Sequence, residues 1–568
     1  MEKRLFPVGG GFLLASESPA PFCPEDFSVE SRMIGETADR FLRREVLPFV
    51  EQIESGNHDL MLALMQKAGG LGLLGADVPV VYGGLGLDIP TAALIAEKIN
   101  YQQSFALTHE AHTVIATLPL LYFGNHDQKS RYLPKLASGE WIGSFALSEA
   151  NSGSDALGMQ TRATLSSDGS HYRLNGMKMW ITNTGFARLF TVFAKVDEKV
   201  TAFLVERDFP GVSFGTEERK LGMRGTSTRR VILDDVPVPV ANALPEGTGH
   251  YAAFCALNLG RFKLEAGAVG GLKEILSVCT TYTKERHTFG NPIACYGMVQ
   301  HKLAEMAART FALESMVYRL AGNLDAAFQG IDATANDASA HYHRAAEEYA
   351  IECNIIKVIG SEAYSDLTDE AIQIHGGYGY TEQFPVARAW RDQRLLRIGE
   401  GANEIVRVAI TNLLLRRDKA GRLPVLTSPL PLYSDETPLG TRATDIKRLA
   451  LLLLRYALEQ AGSVAALLET QEIAAAIADV VCAAYALESV ALRCAHLRGM
   501  VGQRYHLAEQ LALVAAIGHS ENAARAARYV RDCFERCPAE IMVLTNRIGE
   551  PLASPLRARR ELAEMILS

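Results

Sequence analysis

Apolar residues recur at helical spacing near the start of the chain, give way to short β-rich runs, and then return to helical spacing. Between about residues 27 and 140, Phe41, Val46, Leu47 and Val50 keep that spacing, as do Leu60, Leu62, Leu64 and Met65. Gly83-Gly84-Leu85-Gly86 punctuates the region, and the pattern predicts a further helix from Thr91 towards Gln102. From 141 to 245 the runs 189–194 and 201–205 are rich in β-branched and aromatic residues. Ser167-Asp168-Gly169 and Asn175-Gly176 read as turns, which predicts a β domain. Helical periodicity resumes over 251–417, a Pro-rich stretch at 423–439 reads as a linker, and 443–568 reads as further helices, strongly apolar over 446–455 and 464–495.

Composition narrows the classes. A chain of 568 residues exceeds one hydrophobic core, so several domains are expected. A net charge of -8 gives no basic stripe for nucleic acid. The nine cysteines include no C-x-x-C pair, and Cys533 and Cys537 have no histidines at zinc-site spacing, so no metal site is expected and the thiols read as reduced. The start lacks a long apolar stretch, and Glu2, Glu17, Glu25 and Asp26 argue against a targeting peptide, so a cytoplasmic protein is expected. The apolar run 449–454 ends at Arg455, too short to span a bilayer, and no stretch pairs a strong apolar face with a basic one. Membrane association is therefore unsupported.

Five segments carry candidate chemistry. Ser148-Glu149-Ala150-Asn151-Ser152-Gly153-Ser154-Asp155 leaves a strand and, alone, is a polar turn. Met179-Trp180-Ile181-Thr182-Asn183, alone, is a strand with a core tryptophan. Arg286-His287-Thr288-Phe289-Gly290 closes a long helix with a cation and a glycine. In Gln373-Ile374-His375-Gly376-Gly377-Tyr378-Gly379-Tyr380 three closely spaced glycines let backbone approach a phosphate, while His375 reads as a packing or loop residue. In the stretch from Arg391-Asp392 to Glu404-Ile405, Glu400 lies between two glycines before a helix with apolar positions 405, 406, 409, 410, 413 and 414. Alone, Glu400 could equally complement the helix dipole.

Together, the order of elements and these motifs resemble the acyl-CoA dehydrogenase family over about residues 27–417. The helical extension and the Phe6-Pro7-Val8-Gly9 start resemble its very-long-chain subgroup. The resemblance implies a mostly α, α+β fold: an N-terminal helical domain (27–140), a central β-sandwich or barrel-like domain (141–245), a C-terminal four-helix bundle (251–417) and an extra helical domain (443–568). It implies FAD as cofactor. Phe145, Leu147, Ser148, Gly153 and Ser154 would line the flavin, with Trp180 and Thr182 beside its reactive N5. Arg286, Phe289, Gln373, Gly376 and Gly377 would reach the pyrophosphate of a flavin held mainly by a neighbouring subunit. Ala402 and Glu404 complete the cofactor set, although Ala402 stands where the family usually has Thr, which removes one hydrogen bond.

By the same resemblance Glu400 is the base that takes the α-proton of a fatty acyl thioester, giving the trans-2-enoyl-CoA. Some relatives carry the base on another helix, immediately before an arginine; here that position is Gly260, before Arg261, and offers no rival. Ser154, Gly401 and Arg261 would lie along the substrate, Arg261 near its CoA. Ala106 resembles an open long-chain pocket and Glu110 a medium-chain floor, so chain length is left between long and medium-long. An electron-transfer flavoprotein as acceptor and a homodimer are implied as well. An acyl-CoA oxidase and an assembly or scaffold protein that retains the fold stay open as alternatives. A flavin monooxygenase would not need Glu400.

Overall fold

A computed structural model describes residues 8–498 and 503–568. Phe6 and Pro7 of the start motif lie outside them. The N-terminal region is helical as expected, with α1 (Val29–Phe41), α2 (His58–Gly70), α3 (Ile89–Ile99) and α4 (Gln103–Glu110) as its main elements. Helix α3 begins under an N-cap: the Asp88 carboxylate accepts from the Thr91 N–H at 2.7 Å. It ends three residues before the predicted Gln102, because Gln102 caps α4 instead.

The β domain is one seven-stranded sheet. Its strands are β1 (Gly143–Ala146), β2 (Arg162–Leu165), β3 (His171–Thr182), β4 (Leu189–Val196), β5 (Lys199–Glu206), β6 (Val212–Phe214) and β7 (Thr228–Pro239). Strand β4 pairs β5 along its whole length, β1 opposite Leu189 to Val192 and β2 opposite Lys195; β3 then carries the sheet on to β7 and β6. One expectation is corrected here. Asn175-Gly176 is not a turn but a bulge inside β3, where the Thr161 side chain occupies the space a Cβ on Gly176 would need. A second bulge, between Lys178 and Ile181, carries Trp180.

Helices α5 (Gly249–Glu285), α6 (Gly297–Phe328), α7 (Ala350–His375), α8 (Pro385–Gln393) and α9 (Asn403–Lys419) build the C-terminal bundle. The extension follows with α10 (Pro438–Ala461), α11 (Gln471–Leu497) and α12 (Gln503–Asp532). The Pro-rich segment before it is packed rather than free: Leu423 and Val425 are buried, and the Arg455 guanidinium donates to the carbonyls of Val425 (2.9 Å) and Ser428 (2.6 Å). Helix α11 is long and apolar enough to cross a membrane, yet 89% of its most apolar window is buried in this protein. Its apolarity serves the core. One continuous apolar cluster runs from Phe12 through the bundle to Ile548, so the extension shares the core of the bundle.

Candidate active site

The turn between α8 and α9 departs from ordinary backbone geometry at Glu400, which takes φ 54°, followed by Gly401 at φ 98°. A left-handed glutamate costs on the order of 1–3 kcal/mol and persists only where its surroundings dictate it. Those surroundings are specific. Arg261 of α5 donates through Nε to the Glu400 carbonyl at 2.8 Å, and its Nη1 is tied to Asn258 Oδ1 (3.0 Å) and Asn354 Oδ1 (2.9 Å). Lys357 of α7 donates through Nζ to the Gly401 carbonyl and to Asn403 Oδ1 (2.6 Å). Asn403 in turn donates to Ser361 Oγ (3.0 Å) and Glu362 Oε1 (3.1 Å). The backbone N–H of Glu400 has no acceptor among the described residues.

The Glu400 side chain points at the α5 backbone. A Cβ on Gly260 would lie 3.2 Å from Glu400 Oε2 and 3.1 Å from Ile115 Cγ2, so a side chain there would crowd the carboxylate. The residue is partly exposed, but Oε2 is enclosed and has no hydrogen-bond partner. Burial pushes the carboxyl up to about 7, with the charges of Arg261 and Lys357 opposing the rise. A buried, unpartnered carboxylate poised near neutrality beside a free backbone N–H is the equipment for taking a proton from carbon next to a carbonyl.

A second cluster forms where β1 leads into residues 148–155. Glu149 is buried and accepts from Thr161 N (3.1 Å), Thr161 Oγ1 (2.5 Å), Gln160 N (2.5 Å) and Lys178 Nζ (2.7 Å). Lys178, fully buried in β3, also donates to the Leu147 carbonyl at 3.0 Å, and the Met179 N–H donates to the Ser148 carbonyl at 2.9 Å. The loop is thereby laid against the bulge that turns Trp180 (φ 55°) outward, leaving it 55% exposed. Gly153 and Ser154 are exposed and Ser148 and Thr182 partly so, whereas the side chains of Phe145 and Leu147 are buried in the core.

The third cluster joins the C-terminal ends of α5 and α7. The exposed Arg286 guanidinium lies over the Tyr378 ring, 5.6 Å from its centroid, and Phe289 is 95% exposed with φ 49°. Gln373, Gly376 and Gly377 are exposed, with nothing within 4 Å of where a Cβ on either glycine would lie. His375 is buried and stacks on Tyr282, centroids 4.1 Å apart, as a packing residue. Among the described residues no hydrogen bond or ring contact joins this cluster to the Ser148–Trp180 one.

Family models cover most of the chain: the acyl-CoA dehydrogenase N-terminal domain matches residues 28–140, the middle domain 144–236 and the C-terminal domain 247–415. The chain belongs to the acyl-CoA dehydrogenase family. It is 43% identical over 502 residues to a probable acyl-CoA dehydrogenase of Bacillus subtilis (strain 168), covering 85% of this chain and 84% of that one. It is 38% identical over 429 residues to the mitochondrial very long-chain specific acyl-CoA dehydrogenase of Bos taurus, covering 72% of this chain and 63% of that one. Among solved structures, an acyl-CoA dehydrogenase complexed with FAD from Bacillus anthracis superposes with a TM-score of 0.93 at 39% identity, covering 99% of this chain and 98% of that one. The extension, beyond the family models, is thus part of the shared architecture.

An acyl-CoA dehydrogenase is an FAD-dependent oxidoreductase, and the residues present fit that cofactor. The exposed cation Arg286 and a buried, unpartnered Nη1 on Arg394 offer donors, and the glycine backbone at 376–377 leaves room for close approach, while the Gly376 N–H itself donates to the Gln373 and Ile372 carbonyls. Glu404 is exposed and Ala402 supplies no side-chain cap to α9. Within the family fold the structure also relocates several expectations. Arg261, expected along the substrate, holds the Glu400 carbonyl through Nε. Ile405 is 44% exposed, so the buried face of α9 runs instead through Asn403, Val406, Ile410 and Leu414. Ala106 packs in the apolar cluster of the N-terminal helices, whereas Glu110 is buried with an unpartnered Oε1 and is pushed up to about 8 by burial.

Sequence reasoning missed Glu149, Lys178, Ile115, Lys357 and Asn403. Glu149 and Asn403 lay in motifs quoted as functional but were given no role of their own. The others carry no local signal, because their roles exist only once separate elements meet. The same holds for Gly222, whose Cβ would fall 2.5 Å from the Arg391 carbonyl oxygen, and for Met223, whose N–H donates to Asp392 at 2.5 Å. These contacts dock the β domain on the segment that leads to Glu400.

Proposed function

We propose that this protein catalyses α,β-dehydrogenation of long or medium-long fatty acyl-CoA in fatty acid β-oxidation, with an electron-transfer flavoprotein as acceptor. The observation that carries the reading is the unpartnered Glu400 carboxylate against Gly260, poised near neutrality in a strained turn. In this reading the Glu400 carboxylate takes the α-proton, and the unoccupied N–H of Glu400 donates to the thioester carbonyl as negative charge develops there. Residues 148–154 with Trp180 and Thr182 hold the flavin end of the cofactor, and Arg286 with the 373–377 segment holds its phosphates. Bound FAD supplies the two-electron acceptor. That these two clusters do not touch within one chain supports a homodimer in which each site draws on both subunits.

The test is anaerobic titration of the yellow protein with saturated acyl-CoAs of increasing length, following loss of the visible flavin absorbance. Bleaching by fatty acyl-CoA is expected, and its dependence on length ranks the substrates. Bleaching by none of them would sink the reading in favour of a scaffold role, and rapid peroxide formation on admitting air would favour an acyl-CoA oxidase.

The carboxyl near 7 gives a pH prediction with a definite sign. Only the ionised base can accept the proton, so kcat/KM should rise with pH through about 7 and fall roughly tenfold per pH unit on the acid side. A flat profile from pH 5.5 to 8 would contradict the assignment.

A further inference from the structure

The catalytic turn is gripped by two cations, of which one has no assigned role. Resting on the reading of Glu400 as the base, we propose that Lys357 is a positioning residue for proton abstraction: with Arg261 it clamps successive carbonyls of the Glu400–Gly401 turn, and its ammonium charge acts on the Glu400 carboxylate.

The geometry is a two-point grip. Arg261 holds the Glu400 carbonyl from α5 and Lys357 holds the Gly401 carbonyl from α7, so the two peptide planes on either side of Gly401 are each tied to a different helix. A glycine between them would otherwise rotate freely. Fixing both carbonyls also fixes the direction of the Glu400 side chain and of its unoccupied N–H.

The charge follows from what surrounds the ammonium. Lys357 is fully buried, and among the described residues it forms no ion pair. Four charged or titratable groups face it. Glu265 on α5 is fully buried with neither oxygen partnered, and burial pushes its carboxyl well above the usual range, with the Lys357 charge opposing the rise. Glu362 on α7 is already taken by a bidentate bond from Arg407, at 2.7 and 2.8 Å, and by Asn403. Arg261 on α5 is a second cation. Glu400 is the carboxylate left over. Glu110 on α4, which neighbours Glu265 and Glu400, stays largely neutral below about 8. Burial lowers the Lys357 ammonium to about 8, so it stays charged across the Glu400 acid limb near 7 and stabilises the ionised base.

The experiment compares wild type, Lys357→Met and Lys357→Gln, each purified with FAD. Two quantities are read: kcat against pH, and exchange of the α-hydrogens of 3-thiaoctanoyl-CoA in D2O followed by mass spectrometry. Sulfur replaces the β-carbon in that thioester, so exchange reports proton abstraction without dehydrogenation. Lys357→Met is expected to slow kcat and exchange about 10- to 100-fold with KM little changed. Its acid limb should move from about 7 towards about 8 or above. Lys357→Gln keeps a neutral donor for the Gly401 carbonyl, so it should recover most of the rate but not the limb. If Lys357→Met fails to fold, the glutamine variant carries the pH comparison. Wild-type exchange with unaltered rate and limb in both variants overturns the clamp alone. A wild-type protein that neither exchanges nor bleaches overturns the base assignment, and the clamp with it.

Discussion

Glu400→Gln is expected to lower the rate of acyl-CoA dehydrogenation by about 10²- to 10⁴-fold or more, with FAD content and melting temperature close to wild type. Gln preserves the shape and polarity of the side chain, so the space against Gly260 and Ile115 stays filled and the turn keeps its grip from Arg261 and Lys357. What is lost is the only function an amide cannot perform, acceptance of a proton. Removing a carboxyl that burial already disfavours in its ionised form should not destabilise the fold, because the amide needs no counter-charge. A measured kcat within tenfold of wild type would show that another group takes the proton. Residue 260, against Glu400 Oε2, carries no side chain that could do so, which leaves Glu110 as the neighbouring carboxyl.

Lys178→Met should produce the largest structural effect. Lys178 and Glu149 form a fully buried ion pair at 2.7 Å, and the methionine would leave the Glu149 carboxylate without its cation in the core of the β domain. Breaking one partner of such a pair typically costs about 3–5 kcal/mol, although Glu149 would still accept from Thr161 and Gln160. The consequence reaches the cofactor, since Lys178 also holds the Leu147 carbonyl and so the start of the 148–155 loop. A lower melting temperature together with weaker FAD retention is expected, read by thermal denaturation and by the flavin-to-protein absorbance ratio. Loss of stability with FAD binding intact would detach the pair from the flavin loop. The double variant Lys178→Met, Glu149→Leu should recover part of the stability but not the FAD affinity, because it removes the orphaned charge without restoring the loop.

The fold was legible to the extent that it follows from periodicity. Helical and β-rich stretches were separable because buried faces impose spacings of 3.6 and 2 on the sequence. The failures are local and share a cause. Asn175-Gly176 has turn chemistry, but its strand neighbours pair with β7 on both sides, so the dipeptide bulges within the strand. Ile405 fits the apolar spacing of α9 but faces outward, because Lys357 and Glu362 engage Asn403 and rotate the buried face. The Pro-rich segment resembles a free linker, yet Arg455, 27 to 30 residues further on, binds it to the extension.

By itself, the sequence determined which stretches are helix or strand, where the glycines stand, and, through motifs at family spacing, membership of the acyl-CoA dehydrogenase family. Those signals are short-range, and a short segment carries them complete. Only the tertiary structure decided that Gly260 faces the Glu400 carboxylate, that Arg261 and Lys357 hold consecutive carbonyls of its turn, and that Lys178 supports the 148–155 loop through Glu149. Each of these pairs residues from separate elements, 29 to 139 positions apart in the cited hydrogen bonds to Glu149 and Glu400. Buried polar groups gain their meaning from the one partner that reaches them, and burial and partner exist only after the helices and the sheet have packed.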